Sequence, residues 1–330
     1  MTDTVLVTSR SFSSGFRDLV HELGAAGFTV LRGPADHDLD ALREPLGAAV
    51  GWIAGTGPVT AAHLELAPQL RVVARYGVGV DAVDLTAAAR HGVAVTNTPG
   101  ANSDAVADHA VALLLASLRG VAAGDRRVRA GDWSVRRGRE IGSLTVGLLG
   151  FGRIGQGVAR RLAGFGATLL AHDPFLDPDA VRAGGAEPVT ADELPRRCDA
   201  VSLHAPGGRP VVDAVWLARA RPGLLVINTA RADLVDEAAV AAALRGGRLA
   251  GYAADTLAVE NTGNIRNAAA ASPLLADDLA EAVVITPHTG AQTVEAIDRM
   301  GAAATADLLA VLAGDEPRYP VRLPASQEER

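Results

Sequence analysis

Residues 145–162 read Thr145-Val-Gly-Leu-Leu-Gly150-Phe-Gly152-Arg-Ile-Gly155-Gln-Gly-Val-Ala-Arg-Arg-Leu. An apolar strand pattern runs directly into Gly150-x-Gly152-x-x-Gly155 and then into a helical pattern, as in dinucleotide-binding βαβ units. Gly150 allows a tight turn, Gly152 lets the backbone approach a pyrophosphate, and Gly155 lets helix and strand pack closely. The segment therefore predicts a phosphate-binding turn at the N-terminus of a helix.

A carboxylate follows this unit at the position expected for ribose recognition. The predicted strand Thr168–His172 comes after the helix and is followed by Asp173. A carboxylate at this point accepts hydrogen bonds from the adenosine ribose hydroxyls and repels a 2′-phosphate. A glycine-rich turn without a ligand is the alternative, but the strand, helix, second strand and acid together favour NAD as the cofactor.

Apolar strands alternate with helical patterns on both sides of the motif. Strands are predicted at 4–8, 29–31, 50–54, 70–74 and 93–96, then at 145–149, 168–172, 200–204, 224–228, 251–255 and 283–286, with a long amphipathic helix over 101–119. Such alternation predicts parallel sheets covered by helices. We therefore expect an α/β fold of two doubly wound parallel-sheet domains, the second of Rossmann type, with a cleft between them.

Composition restricts the chemistry and the partners. The 330 residues carry a net charge of -7, all 31 basic residues are arginine, and Cys198 is the single cysteine. The one arginine-rich run, Arg126 to Arg139, is interpreted as a solvated helix end and loop, so the acidic chain disfavours nucleic acid as a partner. One cysteine excludes an internal disulfide and a cysteine-rich zinc site. We predict no metal site. Because the start lacks a signal pattern and no apolar run reaches membrane-spanning length, we expect a cytoplasmic protein without membrane contact.

Polar side chains follow the last three predicted strands. Arg231, Glu260 and His288 each come shortly after one of them. The carboxyl ends of parallel strands line the ligand crevice of such sheets, so these side chains should converge beside the cofactor. Singly, each has a bland alternative, namely a surface arginine, a solvated loop carboxylate and a capping histidine. Together they predict a catalytic set.

The chain at this point resembles the D-isomer-specific 2-hydroxyacid dehydrogenases, a family of phosphoglycerate, D-lactate, glyoxylate and hydroxypyruvate enzymes. The resemblance covers almost the whole chain. It implies hydride transfer between NAD(H) and a small 2-oxo or 2-hydroxy acid. Besides the glycine motif, it is carried by Arg75-Tyr-Gly-Val-Gly-Val-Asp81, Val95-Thr-Asn-Thr-Pro-Gly100, Val106-Ala-Asp-His-Ala-Val-Ala-Leu113, Asn228-Thr-Ala-Arg231, Leu234-Val-Asp-Glu237 and Thr286-Pro-His-Thr-Gly290.

The resemblance implies a role for each residue of the catalytic set. Arg231 would grip the substrate carboxylate through its planar guanidinium. His288 would exchange a proton with the 2-hydroxyl while hydride moves to or from the nicotinamide. Glu260 would hydrogen-bond the other imidazole nitrogen and fix the orientation of the ring.

The resemblance also assigns contacts to both ligands. Asp255 would meet the nicotinamide carboxamide, whereas His109 in the long helix is expected to be structural. The cofactor contacts would be Gly150, Gly152, Arg153, Ile154, Gly155, Asp173, His204, Ala205, Pro206, Thr229, Ala230, Asp255 and Gly290. The substrate contacts would be Val78, Gly79, Arg231, Asn102 and Arg75, with the amides near Val78 and Gly79 binding the carboxylate.

Discontinuous domains are a further implication. Residues 1–98 plus 289–330 would bind substrate, and residues 99–288 would bind NAD. The helix that begins near Ala101 would serve as hinge and dimer interface, which predicts a homodimer.

Four departures from the family pattern surround the expected substrate. They are Ala232-Asp233 after the arginine, Thr256-Leu-Ala258 after Asp255, the long loop 261–272, and the compressed segment Gly207-Gly-Arg209. The particular acid therefore stays open. Two alternatives remain: a relative acting on a phosphonate-bearing 2-hydroxy acid, with Arg75 as a phosphonate contact, and a nucleotide-sensing binding protein like the family's corepressors.

Overall fold

The computed structural model describes residues 3–262 and 271–324, so most of the predicted loop 261–272 lies outside the described residues. The contacts divide the chain into two compact units. The terminal unit comprises the described residues up to 102 and those from 291 onward, and the central unit comprises those within 103–290. Each unit contains one parallel sheet with helices, which confirms the predicted fold class.

A five-stranded parallel sheet forms the core of the terminal unit. Its third strand is buried along its whole length, as expected for a strand covered on both faces. The strands are β1 (Thr4–Val7), β2 (Thr29–Arg32), β3 (Ala49–Ala54), β4 (Val72–Arg75) and β5 (Ala94–Thr96). They lie in the order β2-β1-β3-β4-β5, the doubly wound order whose direction reverses between β1 and β3.

Short helices connect these strands. They are α1 (Leu19–Ala25), α2 (Leu39–Ala48), α3 (Ala61–Glu65) and α4 (Leu85–Arg90). Asp18, Asp38 and Asp84 cap α1, α2 and α4, because each carboxylate accepts an amide N–H of the first turn. These caps fix where the chain leaves each loop at the carboxyl edge of the sheet.

A seven-stranded parallel sheet forms the core of the central unit. The strands are β6 (Thr145–Leu149), β7 (Thr168–His172), β8 (Glu187–Pro188), β9 (Ala200–Leu203), β10 (Leu224–Asn228), β11 (Leu249–Ala254) and β12 (Val283–Ile285). Their order is β12-β11-β10-β9-β6-β7-β8, a Rossmann order extended by one strand. The direction reverses between β6 and β9, so the glycine turn after β6 lies at the switch point.

Helices cover both faces of the central sheet, and each face has its own apolar cluster. The helices of this unit are α5 (Ser103–Arg119), α6 (Val121–Arg129), α7 (Arg153–Ala163), α8 (Pro178–Ala183), α9 (Leu194–Arg197), α10 (Ala214–Ala218) and α11 (Glu237–Arg245), of which α6 packs on α5. Short 3-10 turns lie at Ile141–Ser143, Ala232–Leu234, Ala258–Thr262, Pro273–Leu275 and Asp277–Leu279. The last helix, α12 (Val294–Ala313), returns to the terminal unit and packs on β3 and β4.

Within the described ranges, none of the helices is by itself long and apolar enough to cross a membrane. Only α5 and α6 taken together, with a bend of 56° between them, meet the length and composition required.

Candidate active site

The turn after β6 is closed by contacts that only glycine permits. Gly150 has φ +93°, and a Cβ there would lie 2.6 Å from the carbonyl carbon of His204. A Cβ on Gly155 would overlap the carbonyl oxygen of Gly150. At Gly152, by contrast, a Cβ would meet no described atom within 4 Å. Gly152 is the N-cap of α7 without a side-chain cap, so open space adjoins the amides of the first turn, which suits an anion.

Asp173 braces this turn from the end of β7. Its Oδ2 accepts the amide N–H of Phe151 at 2.8 Å, and its Oδ1 accepts that of Phe175 at 2.9 Å. A carboxylate has about four acceptor sites, so ribose hydroxyls can still donate to it. Asp173 therefore stands where a ribose contact is predicted, and it also ties β7 to the glycine turn.

Buried polar atoms without partners follow three neighbouring strands. Both ring nitrogens of His204 after β9, Oγ1 of Thr229 after β10 and Oγ1 of Thr256 after β11 have no hydrogen-bond partner among the described residues. Burial lowers the pKa of His204 to about 4, which keeps its ring neutral at neutral pH. Each unsatisfied buried group costs about 1–3 kcal/mol, so a polar ligand at this sheet edge would be stabilised by all three.

His288 and Glu260 form a direct pair. The imidazole Nδ1 lies 2.8 Å from Oε2 of Glu260, and the other carboxylate oxygen accepts the amide N–H of Leu257 at 2.8 Å. The His288 side chain is 49% exposed, against 27% for Glu260. Because the carboxylate holds Nδ1, Nε2 is the nitrogen that a ligand can reach.

The turn that carries His288 is strained and held from both sides. His288 has φ +53°, a left-handed conformation that residues other than glycine seldom adopt. Its amide donates to the carbonyl oxygens of Asp255 and Thr286, both at 3.0 Å. The Asp255 carboxylate accepts the amides of Thr289 at 2.8 Å and Gly290 at 2.7 Å. Asp255 at the end of β11 therefore sets the conformation of the histidine turn.

The same carboxylate reaches helix α5 through a threonine. Oδ1 of Asp255 accepts the Thr286 hydroxyl at 2.5 Å, and that hydroxyl oxygen lies 2.8 Å from Nε2 of His109. Burial raises the pKa of Asp255, but hydrogen bonds from His109, Thr286 and the two amides outweigh it and hold the pKa below its usual value. His109 and Thr286 thus support the His288 turn; a structural role for His109 is expected from the sequence, but its contact with Thr286 is not.

Arg231 follows β10, the neighbour of β11. The Asn228 side chain shapes its turn, because it donates to the carbonyl oxygen of Arg231 at 2.8 Å and accepts the amide of Ala230 at 3.0 Å. Nη1 of Arg231 donates to the carbonyl oxygen of Ala230 at 2.9 Å. The sheet order β12-β11-β10 therefore places the histidine, the glutamate and the arginine at the carboxyl ends of three consecutive strands.

Two departures from the family pattern belong to one contact. Oδ2 of Asp233 accepts the amide N–H of Gly208 at 2.7 Å, and a Cβ on Gly207 would lie only 2.5 Å from Oδ1. Gly208 has φ +126°, which also favours glycine. Asp233 and the Gly207-Gly208 pair therefore fit one another, and together they tie the loop after β9 to the turn after β10.

The predicted carboxylate loop lies after β4 in the terminal unit. Val78 is 39% exposed, and its carbonyl oxygen accepts the Asn97 side-chain amide at 2.7 Å. Gly79 follows in the same loop. Oδ1 of Asn102 is buried without a hydrogen-bond partner in the described part of the chain. Contacts of Val78, Gly79 and Asn102 with a substrate stay predictions.

Arg75 ends β4 and is buried, at 8% exposure. Its Nη1 donates to the carbonyl oxygen of Tyr76 at 2.5 Å and to that of Ala54 at 3.4 Å. The guanidinium thus holds backbone inside the terminal unit. Contact of Arg75 with a phosphonate stays a prediction.

Comparison with known proteins identifies the class of the chain. Residues 111–290 match the profile of the "D-isomer specific 2-hydroxyacid dehydrogenase, NAD binding domain". The chain belongs to this family, and NAD is the cofactor of its central unit. The open space at Gly152, the carboxylate of Asp173 and the unpartnered groups after β9, β10 and β11 fit such a dinucleotide.

Particular relatives include enzymes of more than one specificity. The D-3-phosphoglycerate dehydrogenase of Mycobacterium tuberculosis is 42% identical over 262 residues, which are 78% of this chain and 48% of that one. The glyoxylate reductase of Korarchaeum cryptofilum is 35% identical over 274 residues, 79% of each chain. A crystal structure from Thermus thermophilus is 35% identical, has a TM-score of 0.84, and covers 97% of this chain and 100% of that one. The chain spans about half the length of the phosphoglycerate dehydrogenases that it matches.

Proposed function

We propose that this protein transfers a hydride between NAD(H) and a small 2-oxo or 2-hydroxy acid. The pair of His288 and Glu260, 2.8 Å apart, carries the proposal. A half-exposed imidazole oriented by a carboxylate is the arrangement that proton exchange with a 2-oxygen requires. The pair lies on the unit that matches the NAD-binding domain. His288 follows β12 and Glu260 follows β11, whereas Arg231 follows β10, the next strand of the sheet.

The cofactor would occupy the carboxyl edge of the central sheet. When bound, NAD supplies or accepts the hydride. The first amides of α7 would bind its pyrophosphate, and Asp173 would accept its ribose hydroxyls. The remaining predicted contacts follow the next strands of the same edge: His204, Ala205 and Pro206 after β9, Thr229 and Ala230 after β10, Asp255 after β11 and Gly290 after β12.

His288 would move the proton. In the reducing direction its Nε2 donates to the 2-oxygen as the carbon receives hydride, and in the oxidising direction it accepts the 2-hydroxyl proton. Glu260 holds Nδ1 and so keeps the ring in one orientation and one tautomer. Asp255 and Thr286 keep the strained turn closed under the imidazole.

Arg231 would bind the substrate carboxylate. Its guanidinium offers several donors in one plane, which matches a carboxylate in a two-pronged fashion. The chain has no lysine to provide another cation at this edge. Arg231 would thus fix the substrate with its 2-carbon facing the cofactor.

Three finer proposals rest on the family resemblance. We propose a homodimer, a cytoplasmic location, and substrate binding by residues 1–98 with 289–330 beside NAD binding by 99–288. Apolar surface after α6 supports an interface, since Trp133 is 77% and Val135 is 92% exposed. Light scattering on the purified protein tests the dimer, and a monomer at all concentrations would refute it.

Substrate screening tests the proposed reaction. NADH oxidation is followed with glyoxylate, hydroxypyruvate, pyruvate, 2-oxoglutarate and phosphonopyruvate, and NAD reduction with 3-phosphoglycerate. We expect turnover of at least one acid and a loss of about a hundredfold or more in His288→Ala, the usual scale for a positioned acid or base. NADH affinity should change little, and His21→Ala, which removes an exposed histidine of α1, should match wild type.

Other outcomes would select the alternatives. Turnover of phosphonopyruvate alone would favour the phosphonate-bearing 2-hydroxy acid. Tight NADH binding without turnover of any acid would refute the enzyme proposal and favour a nucleotide-sensing binding protein.

A further inference from the structure

Glu237, the first residue of α11, reaches the segment that carries Glu260. Its Oε1 accepts the amide N–H of Ala258 at 2.8 Å, and its Oε2 accepts the hydroxyl of Ser272 at 2.6 Å. Ala258 opens the 3-10 turn that contains Glu260, and Ser272 caps the 3-10 turn Pro273–Leu275. The single carboxylate of Glu237 therefore forms a bridge between Ala258, before Glu260, and Ser272, after it.

The helix itself does not require this carboxylate. Asp236 already caps α11, because its side chain accepts the amide of Ala239 at 3.0 Å. The groups that Glu237 holds are in buried surroundings. Ser272 is only 3% exposed, and Leu257, which precedes Ala258, is 5% exposed. Both oxygens of Glu237 thus serve the segment around Glu260 rather than the helix end.

Two consecutive amides connect Glu237 to the imidazole. The amide of Ala258 donates to Glu237, and the preceding amide, that of Leu257, donates to Oε1 of Glu260. Oε2 of the same Glu260 side chain lies 2.8 Å from Nδ1 of His288. A displacement of Ala258 would therefore shift Leu257 and Glu260, and with them the support of the imidazole.

We propose that Glu237 is a positioning residue of the reaction, which fixes Glu260 and, through it, the His288 ring. The inference rests on the proposed function. It predicts a change in kcat without a change in NADH affinity, because no contact of Glu237 given by the structure reaches the glycine turn or the groups after β9.

Steady-state kinetics of Glu237→Ala test this role. With the best acid of the substrate screen, we expect kcat to fall by roughly tenfold or more, since a misplacement of about 1 Å can cost a hundredfold. NADH affinity, measured by fluorescence, should stay within about twofold of wild type, because Glu237 does not contact the predicted cofactor groups. Glu44→Ala, which removes an exposed glutamate of α2, is the matched control and should leave kcat unchanged.

A conservative variant separates positioning from folding. Glu237→Gln can still accept from Ala258 and donate to the oxygen of Ser272, so it should recover most of the lost kcat. If Glu237→Gln is as slow as Glu237→Ala although both have the wild-type unfolding temperature, the bridge does not position Glu260. Full kcat in Glu237→Ala would also overturn the inference.

A double-mutant cycle identifies the route. In a Glu260→Ala background, Glu237→Ala should cause no further loss of kcat, because the group through which it acts has gone. Losses that multiply would overturn the route through Glu260.

Hydrogen exchange keeps the inference separate from the proposed function. Should wild type reduce no acid, the proposed function fails, and the bridge is then judged by the amides of Leu257 and Ala258 alone. They should exchange at least tenfold faster in Glu237→Ala than in wild type, which reports the opened bridge. Unchanged exchange of both amides would overturn the bridge itself.

Discussion

Thr286 donates its hydroxyl to Asp255 at 2.5 Å, while the same oxygen lies 2.8 Å from Nε2 of His109. The contact fixes the start of the turn on which His288 adopts φ +53°. Such a conformation costs about 1–3 kcal/mol and persists only where its surroundings hold it. The position of the proposed proton carrier therefore depends on a partly buried threonine and on helix α5, which lies far from it in the sequence.

Thr286→Val should weaken the His288 turn while keeping a side chain of similar volume. The substitution removes the hydroxyl between Asp255 and His109, and a lost hydrogen bond of this kind is worth about 0.5–1.5 kcal/mol. We expect kcat on the best acid to fall about three- to tenfold, with NADH affinity near that of wild type. Thr168→Val, at the exposed start of β7, serves as the control. Wild-type kcat in Thr286→Val would show that the turn is held without this hydroxyl.

Asp173 should decide between the two nicotinamide cofactors. Its carboxylate stands at the end of β7 and would repel a 2′-phosphate. We expect wild type to prefer NADH strongly by kcat/KM, and Asp173→Ser to narrow the ratio of NADH to NADPH efficiency. Because the side chain also braces Phe151, the affinity for NADH should fall too. Equal efficiencies in wild type would contradict the assignment, and Asp179→Ser on α8 controls for loss of a surface charge.

The stability of the terminal unit should fall in mild acid because of His37. Its Nδ1 donates to the carbonyl oxygen of Pro58 at 2.9 Å, and its Nε2 accepts the hydroxyl of Thr8 at 2.6 Å. Burial lowers the pKa of His37 from 6.5 to about 4. Above about pH 6.5 the ring is neutral in both folded and unfolded chains, so the full stability is present. Between about pH 6.5 and 4 only the unfolded chain gains a proton, which lowers the free energy of unfolding by up to about 3 kcal/mol.

Urea unfolding between pH 4.5 and 7.5, followed by circular dichroism, measures this slope. His37→Asn should flatten it, and asparagine tolerates the φ of +59° found at this position. His21→Asn, an exposed histidine, should keep the wild-type slope. The burial of His204 acts in the same direction within the central unit, so some slope should remain in His37→Asn. A slope identical to wild type in that variant would contradict the assignment to His37.

The sequence predicts the strands better than the short helices. The predicted strands Thr145–Leu149, Thr168–His172 and Leu224–Asn228 agree residue for residue with β6, β7 and β10. Each is a dense apolar run bounded by glycine, aspartate or a turn, which few other structures accommodate. Helices of four or five residues, such as α3 and α9, have too few turns for a periodic pattern and were not predicted.

The positions of the site residues follow from topology, whereas their support does not. Strand order places Arg231, Glu260 and His288 at one sheet edge, because parallel strands end on the same side. The bond between Thr286 and His109 joins residues 177 positions apart, and neither stands in a pattern that points to the other. Such contacts depend on how α5 packs on the sheet, which side-chain shape decides and periodicity does not.

Arg231 is the residue on which the choice of substrate class depends most. A carboxylate that enters this edge must exchange water for donors, and Arg231 offers both a positive charge and a planar set of N–H groups. Arg231→Lys keeps the charge but loses that geometry, so we expect both Arg231→Lys and Arg231→Ala to lose most of kcat/KM on any 2-oxo acid. Substrate KM should rise while NADH binding, followed by fluorescence, stays near wild type, and Arg90→Lys, at an exposed arginine of α4, is the control. Nearly full kcat/KM in Arg231→Lys would mean that the guanidinium does not bind the substrate carboxylate, and the 2-oxo acid proposal would then have no group assigned to that carboxylate.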